Sequence, residues 1–285
     1  MQPGGSYNGL TWGPGQTLHL SDATGLSATP PRASNDTDRL GGHGTHLGRD
    51  VYRGRVVTLV LGFWADQAGD DFAAISRNID AAMQILQDDV LPLYVDDSTK
   101  LLWVRPVAAD IPQDWTVRGR VCQATLQFRA GDPFIYDAVE TAAPIPIAGG
   151  PGRGNWTFPW VFPWTFQPAG TPPQVNSLIF NSGTIDIAPR FRIAGPVDQG
   201  FVLLNVTTSA ALRVMMSLGP TDWLDVDMAT ERVLFQGVAE RNDTIVPGTD
   251  FWTMPPGENT VRMELIGANT TATAEIFYRS AYTAV

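Results

Sequence analysis

At 222–228 the chain reads DWLDVDM, and Leu224, Val226 and Met228 alternate with Asp225 and Asp227. A period of two sets the three apolar side chains on one face of an extended strand and the two carboxylates on the other. The segment predicts a strand with one dry face and one wet one. Similar short pieces, among them PRFRIAG, FVLLNV, RVLFQG, ENTVRMELIG and TATAEIFYRSAY, recur through the second half between turn residues. Strand-length segments at that spacing predict an antiparallel β-sandwich.

The first half carries the same signal with one interruption. RVVTLVLGFW at 55–64 is apolar at both parities, which predicts a core strand covered from two sides. LLWVRPV and TVRGRVCQATLQFRA read as further strands. From Asp70 the period changes: Phe72, Ile75, Ile79, Ala82, Met83, Leu86 and Val90 recur at three- and four-residue steps. This predicts one amphipathic helix, with Asp70 and Asp71 at its positive end and a stop at Leu91 imposed by Pro92. The expected organisation is a mainly β chain with an N-terminal domain over 1–140, a Pro/Gly-rich connector over 141–173 and a C-terminal sandwich over 174–285.

Composition narrows the function classes. The 285 residues are 44% hydrophobic and 17% charged, with a net charge of −10, which sets the chain against direct binding to phosphate backbones. No basic-then-apolar leader and no membrane-spanning run is visible, so a soluble protein without an export signal is expected. Five Asn-x-Thr triplets, at Asn35, Asn155, Asn205, Asn242 and Asn269, read as turn chemistry. The single Cys122 excludes an internal disulfide, and its alternation with Ala124, Leu126 and Phe128 predicts a buried thiol.

Chemistry-bearing groups are sparse. GGHGTHLGRD offers His43, His46 and Asp50 to a metal, but without a recognised ligand spacing; a loop meeting solvent or a neighbouring chain is the simpler reading, with His43, His46 and Arg49 as contact candidates. Asp225 and Asp227 fit the wet face of their strand better than a glycosidase carboxylate pair. Phosphate loops, nucleophile elbows and zinc-protease helices are missing, and no catalysis, cofactor or metal is expected.

WTFPWVFPWTF at 156–166 is the least ordinary stretch. Trp156, Phe158, Trp160, Phe162, Trp164 and Phe166 share one parity, and together they hold on the order of 1,000 Å² of ring surface that must be covered. The cover is the protein's own domains, another protein or stacked sugar rings. Pro159 and Pro163 on the other parity favour an edge strand or polyproline-like arm along a seam.

Several stretches taken in order carry a resemblance. GRDVYRGRVVTLVLGFW, the single helix, VCQATLQFRAGDPFIYD, FNSGTIDIAPRFRIAGPV with Asn181, Gly183, Pro189 and Gly195, and FWTMPPGENTVRMEL with its Pro-Gly-x-Asn turn resemble the distal tail proteins (Dit) of siphophages and related minor tail proteins of actinobacteriophages. The resemblance implies a tail-tube-like β-barrel or sandwich domain with one helix, followed by a galectin-like sandwich. It implies six copies in a ring at the virion's tail tip, assembled in the host cytoplasm, between the tail tube protein and the tail-associated or receptor-binding proteins, with DNA passing through and no membrane contact. The loop at 27–50 and the aromatic arm are the expected contact elements. The alternative is a carbohydrate-binding adhesion module for the host wall.

Overall fold

The computed structural model describes residues 4–63, 72–84, 90–111, 122–148, 175–267 and 271–284. The chain divides into two compact units, 1–139 with 281–285 and 140–280.

The first unit is built on β1 (Gly5–Tyr7), β2 (Leu10–Trp12), β3 (Leu18–Thr24), β4 (Arg32–Ala33), β5 (Thr37–Asp38), β6 (Thr45–His46), β7 (Val51–Tyr52), β8 (Arg55–Phe63), α1 (Phe72–Ala82), β9 (Leu91–Val95), β10 (Lys100–Asp110), β11 (Cys122–Ala130) and β12 (Ile135–Asp137). Its main sheet runs β2-β1-β9-β10-β11-β8-β3, antiparallel throughout, with β12 on β10. Val57, Leu59, Leu61 and Phe63 of β8 and Ala124, Leu126 and Phe128 of β11 form one dry face, and Ile79 and Ala82 of α1 join the same core. Tyr7 meets Phe128 edge-on at 4.8 Å.

Two expectations change here. The other face of β8 is not covered: Val56 is exposed and Thr58 and Val60 are half-buried. β-branched residues suit a pleated backbone whether or not both faces are dry, so the apolar run over-reported burial. The helix is shorter than its pattern. Met83 and Gln84 close its last turn, Val90 is exposed, and Leu91–Val95 is already a strand. Pro92 lies inside that strand, opposite Trp103 and beyond the Ser6–Tyr94 and Tyr7–Leu93 pairs where β1 ends, so its missing N–H breaks no ladder. Asp70, Asp71 and Leu86, and the side chain of Cys122, lie outside the described residues.

The second unit contains β13 (Thr141–Ile145), β14 (Ile147–Ala148), β15 (Ser177–Asn181), β16 (Arg190–Ala194), β17 (Gly200–Asn205), β18 (Ala210–Val214), β19 (Trp223–Asp227), β20 (Arg232–Phe235), β21 (Ala239–Glu240), β22 (Gly257–Ile266) and β23 (Thr273–Tyr278). One sheet runs β13-β23-β16-β19-β20-β21; the other runs β14-β22-β17-β18, with β15 beside β14 on the same edge of β22. All pairings are antiparallel except β14 with β22. Phe191, Ile193, Leu224, Val226 and Ile276 of the first sheet and Phe201, Leu203, Leu212, Val261 and Met263 of the second are buried, the inner faces of a sandwich. Trp252 spans them: its ring packs edge-on against Phe191 at 5.4 Å, and its indole N–H donates to the Leu203 carbonyl at 3.2 Å.

Gly200 shows how closely these strands approach. Its φ is +152°, and a Cβ there would stand 2.2 Å from the Val214 carbonyl oxygen. A side chain would push β17 off β18.

The chain then returns to the first unit, where β24 (Ala281–Tyr282) pairs with β12. The segment 141–148 is therefore strand within the second unit, and the last residues belong to the first. Both differ from the expected divisions at 141–173 and 174–285: Thr141–Ile145 holds a proline and buries only Ile145, and the tail is five residues long, so neither shows an alternation to assign from sequence.

Candidate interaction surfaces

Residues 31–53 form a hairpin whose outer part stands in solvent. The Arg53 N–H donates to the Pro31 carbonyl at 2.7 Å, β4 pairs with β7, β5 pairs with β6, and the Arg39 N–H reaches the Gly44 carbonyl at the tip. Its base is fixed by rings: the Arg32 guanidinium lies 5.5 Å from the Tyr52 ring centre, and Tyr52 meets Phe134 edge-on at 5.7 Å. Residues 34–51 are all exposed. They include Leu40 at 105% and Leu47 at 87% of full exposure. Two fully exposed leucines on one hairpin leave apolar surface of the kind that a contact with another chain buries.

His43, His46 and Arg49 all sit on this hairpin, with His46 in β6 opposite Thr37. Among the described residues no three His, Cys, Asp or Glu side chains gather as a metal site.

Asp36 holds the two tiers of the hairpin in register. Its carboxylate accepts the Gly48 N–H at 2.8 Å, and bonds from Ser34 and the Gly48 amide lower its pKa. The folded value lies below the unfolded one, near 4, so the restraint is complete above that pH and is lost as pH falls through the depressed value. Asp36→Ala should therefore raise the exchange rate of the Gly48 amide at pH 7 by about tenfold, and wild type should lose the same protection only in strong acid. Hydrogen exchange read at Gly48 tests both arms.

The carboxylates of DWLDVDM are engaged in structure. Asp227 accepts the Ala229 N–H at 2.8 Å and shapes the turn into β20. Asp225 departs from expectation, being nearly buried on the face assigned to solvent. Arg192, its cross-strand partner, grips it through two parallel bonds of 2.9 and 3.0 Å while lying 4.3 Å from the Trp223 ring centre. Hydrogen bonding to Asp225 raises the Arg192 pKa, against a smaller opposing effect of burial. The guanidinium thus packs against both the carboxylate and one face of Trp223, while Trp252 is core and offers no stacking shelf.

The asparagines of the second unit act as internal staples. Asn181 is buried, donates to the Ile185 and Met254 carbonyls, and accepts the Gly183 N–H at 2.9 Å. Asn259, inside the Pro-Gly-x-Asn stretch, donates to the Pro255 and Gly257 carbonyls. Asn205 and Asn242 likewise bind backbone across turns. Asn205 and Asn242 thus do the turn chemistry expected of them, whereas the particular partners were not legible, because each is a backbone carbonyl or N–H that any residue type supplies. The six rings of 156–166 lie outside the described residues.

Residues 182–282, the body of this sandwich, match the family model described as siphovirus-type tail component, C-terminal domain. The whole chain, both units together, is similar in fold to the SPP1 Dit protein, presented as a paradigm of the hub adsorption apparatus in phages infecting Gram-positive bacteria: TM-score 0.69 at 13% identity, covering 99% of each chain. A chain of the phage P2 baseplate in its calcium-activated conformation gives a TM-score of 0.51 at 11% identity, over 100% of this chain and 99% of that one. At such identities these likenesses establish the fold alone. No curated protein matches the sequence.

Proposed function

We propose that this chain is a siphophage tail component, the baseplate hub at the tail tip: six copies form a ring that joins the tail tube to tail-associated and receptor-binding proteins and lets DNA through its centre. The observation that carries the reading is the end-to-end correspondence of fold with SPP1 Dit, over 99% of both chains. A closed ring needs two different complementary patches on each subunit. The 31–53 hairpin, with Leu40 and Leu47 bare and His43, His46 and Arg49 beside them, supplies one such patch. The net charge of −10 suits a passage through which a polyanion slides without sticking.

Light scattering and electron imaging of the purified chain test the ring, which should show six-fold mass and an open centre. Replacing residues 34–49 with a short Gly-containing turn should abolish the ring while both units keep their β-sheet circular dichroism. A wild-type chain that stays single at high concentration overturns the ring. A ring that survives the hairpin's removal overturns the hairpin's part in it.

A further inference from the structure

The β1–β2 hairpin and α1 enclose a groove of about 470 Å³ in the first unit. That volume lies within the range, roughly 300–1,000 Å³, of clefts that bury a ligand. Leu10, Leu18 and Ile75 make its floor, and Asn8, Gln16 and Asn78 stand exposed at its rim. The turn at its end is Asn8-Gly9, with φ of +44° and +83°, the left-handed pair that a two-residue hairpin demands. The Asn8 side chain donates to the Ala82 carbonyl at the end of α1, at 3.1 Å. This bond ties turn to helix and fixes the width of the groove before anything enters it. None of the lining residues is charged, on a chain whose net charge is −10.

We infer that this groove receives the tip of the 31–53 hairpin of a second copy of the chain. Charge, chemistry and placement select that occupant. The tip from Leu40 to Gly48, LGGHGTHLG, holds no Asp, Glu, Lys or Arg. A neutral tip meeting a neutral groove lets two acidic molecules approach without like charges facing each other. Gly41, Gly42 and Gly44 have nothing within 4 Å of where a Cβ would stand, so the tip presents bare peptide groups. The primary amides of Gln16 and Asn78 each carry the donor and the acceptor that a peptide group needs. Leu40 and Leu47 supply apolar side chains for the leucine and isoleucine floor.

Placement makes the occupant another molecule. Within one chain the hairpin does not enter this groove, because Leu40 and Leu47 are both left in solvent. Each copy therefore carries a knob and a socket that it does not join by itself. Knob into socket is a contact between two different patches, which repeats from subunit to subunit and closes on rotation. The inference rests on the ring reading of the hub and adds to it the patch that faces the hairpin, together with the means of recognition: side-chain amides reading a glycine-rich backbone.

Light scattering of the full chain over a wide concentration range reads the assembled mass. The variants Ala81→Trp and Asn78→Asp address the groove alone, since both positions are exposed on α1. Each should weaken assembly by at least about tenfold and leave the melting temperature unchanged, the first by filling the groove and the second by charging it. The contact holds no ion pair, so high salt should leave it intact. As a second measurement, Leu47→Cys chains mixed with Asn78→Cys chains should form a disulfide between these two positions on mild oxidation, and neither variant alone should gain a cross-link over wild type. A ring that forms undiminished in both groove variants, that dissolves in high salt, or that yields no such disulfide overturns the groove and leaves the ring reading standing. A wild-type chain that stays single, with no disulfide in the mixture, overturns both.

Discussion

Arg55→Met should destabilise the first unit by about 3 kcal/mol, the loss expected when several buried bonds from one charged group disappear together. Arg55 begins β8 and is 2% exposed, one of few charged residues inside the chain. Its guanidinium donates to the Gly25 carbonyl at 3.0 Å, to the Leu26 carbonyl at 3.3 Å and to the Thr283 carbonyl. One side chain thus ties the end of β3, the start of β8 and the last residues of the chain. Burial pushes its pKa down and the field of Asp132 pushes it back, while Nε has no partner, so the charge is held by carbonyl dipoles at a cost in desolvation.

Methionine keeps the aliphatic stem but offers no donors, leaving three carbonyls without this partner. The first sign should appear at the tail. Amides of Ala281 and Tyr282 should lose exchange protection before the rest of the sheet unfolds, although the Lys100 ammonium still lies 3.8 Å from the Tyr282 ring centre and bonds Asp137. Arg55→Lys should recover only part of the loss, since one ammonium cannot reach all three carbonyl acceptors that the two arms of the planar guanidinium fork reach together. Urea unfolding resolved by unit, with hydrogen exchange at the tail, is the measurement. Unchanged stability in Arg55→Met would mean that the tail is held by β24 pairing and the Lys100–Tyr282 contact without help from Arg55.

What could be read from the sequence follows from how far each signal reaches along the chain. The sandwich strands were legible because Phe191 and Ile193, or Leu224 and Val226, report burial within five residues, and the helix because Phe72, Ile75 and Ile79 share a face. Arg55 was not: its partners are backbone carbonyls at 25, 26 and 283, and no side-chain pattern encodes them. The 31–53 hairpin was read as a loop because no face of it is buried, so its strands show no alternation to detect. β15 looked like any other strand. SLIF alternates correctly, and only the sheet order reveals that its outward leucine and phenylalanine lie at an edge.

Trp252 decides between two readings of the sandwich that sequence leaves open, an exposed ring for stacking sugars and a core ring. Trp252→Ala should destabilise the second unit by about 3–5 kcal/mol, the range for removing a buried large aromatic. The ring is 5% exposed and links the sheets by its edge-on contact with Phe191 and its N–H bond to the Leu203 carbonyl. Truncation removes that bond and opens a cavity between two sheets that β-ladders hold apart, so collapse can recover little of the lost packing. For a unit of this size the melting temperature should fall by on the order of 10 °C or more.

Trp252→Phe should cost about 1–2 kcal/mol, because most of the ring volume and the Phe191 contact survive while the Leu203 carbonyl loses its donor. The ratio between the two variants separates packing from hydrogen bonding. Calorimetry of the full chain reads the second unit's transition directly. If Trp252→Ala melts with wild type, the ring is not in the core, and sugar stacking on this sandwich returns as the better account of its tryptophans.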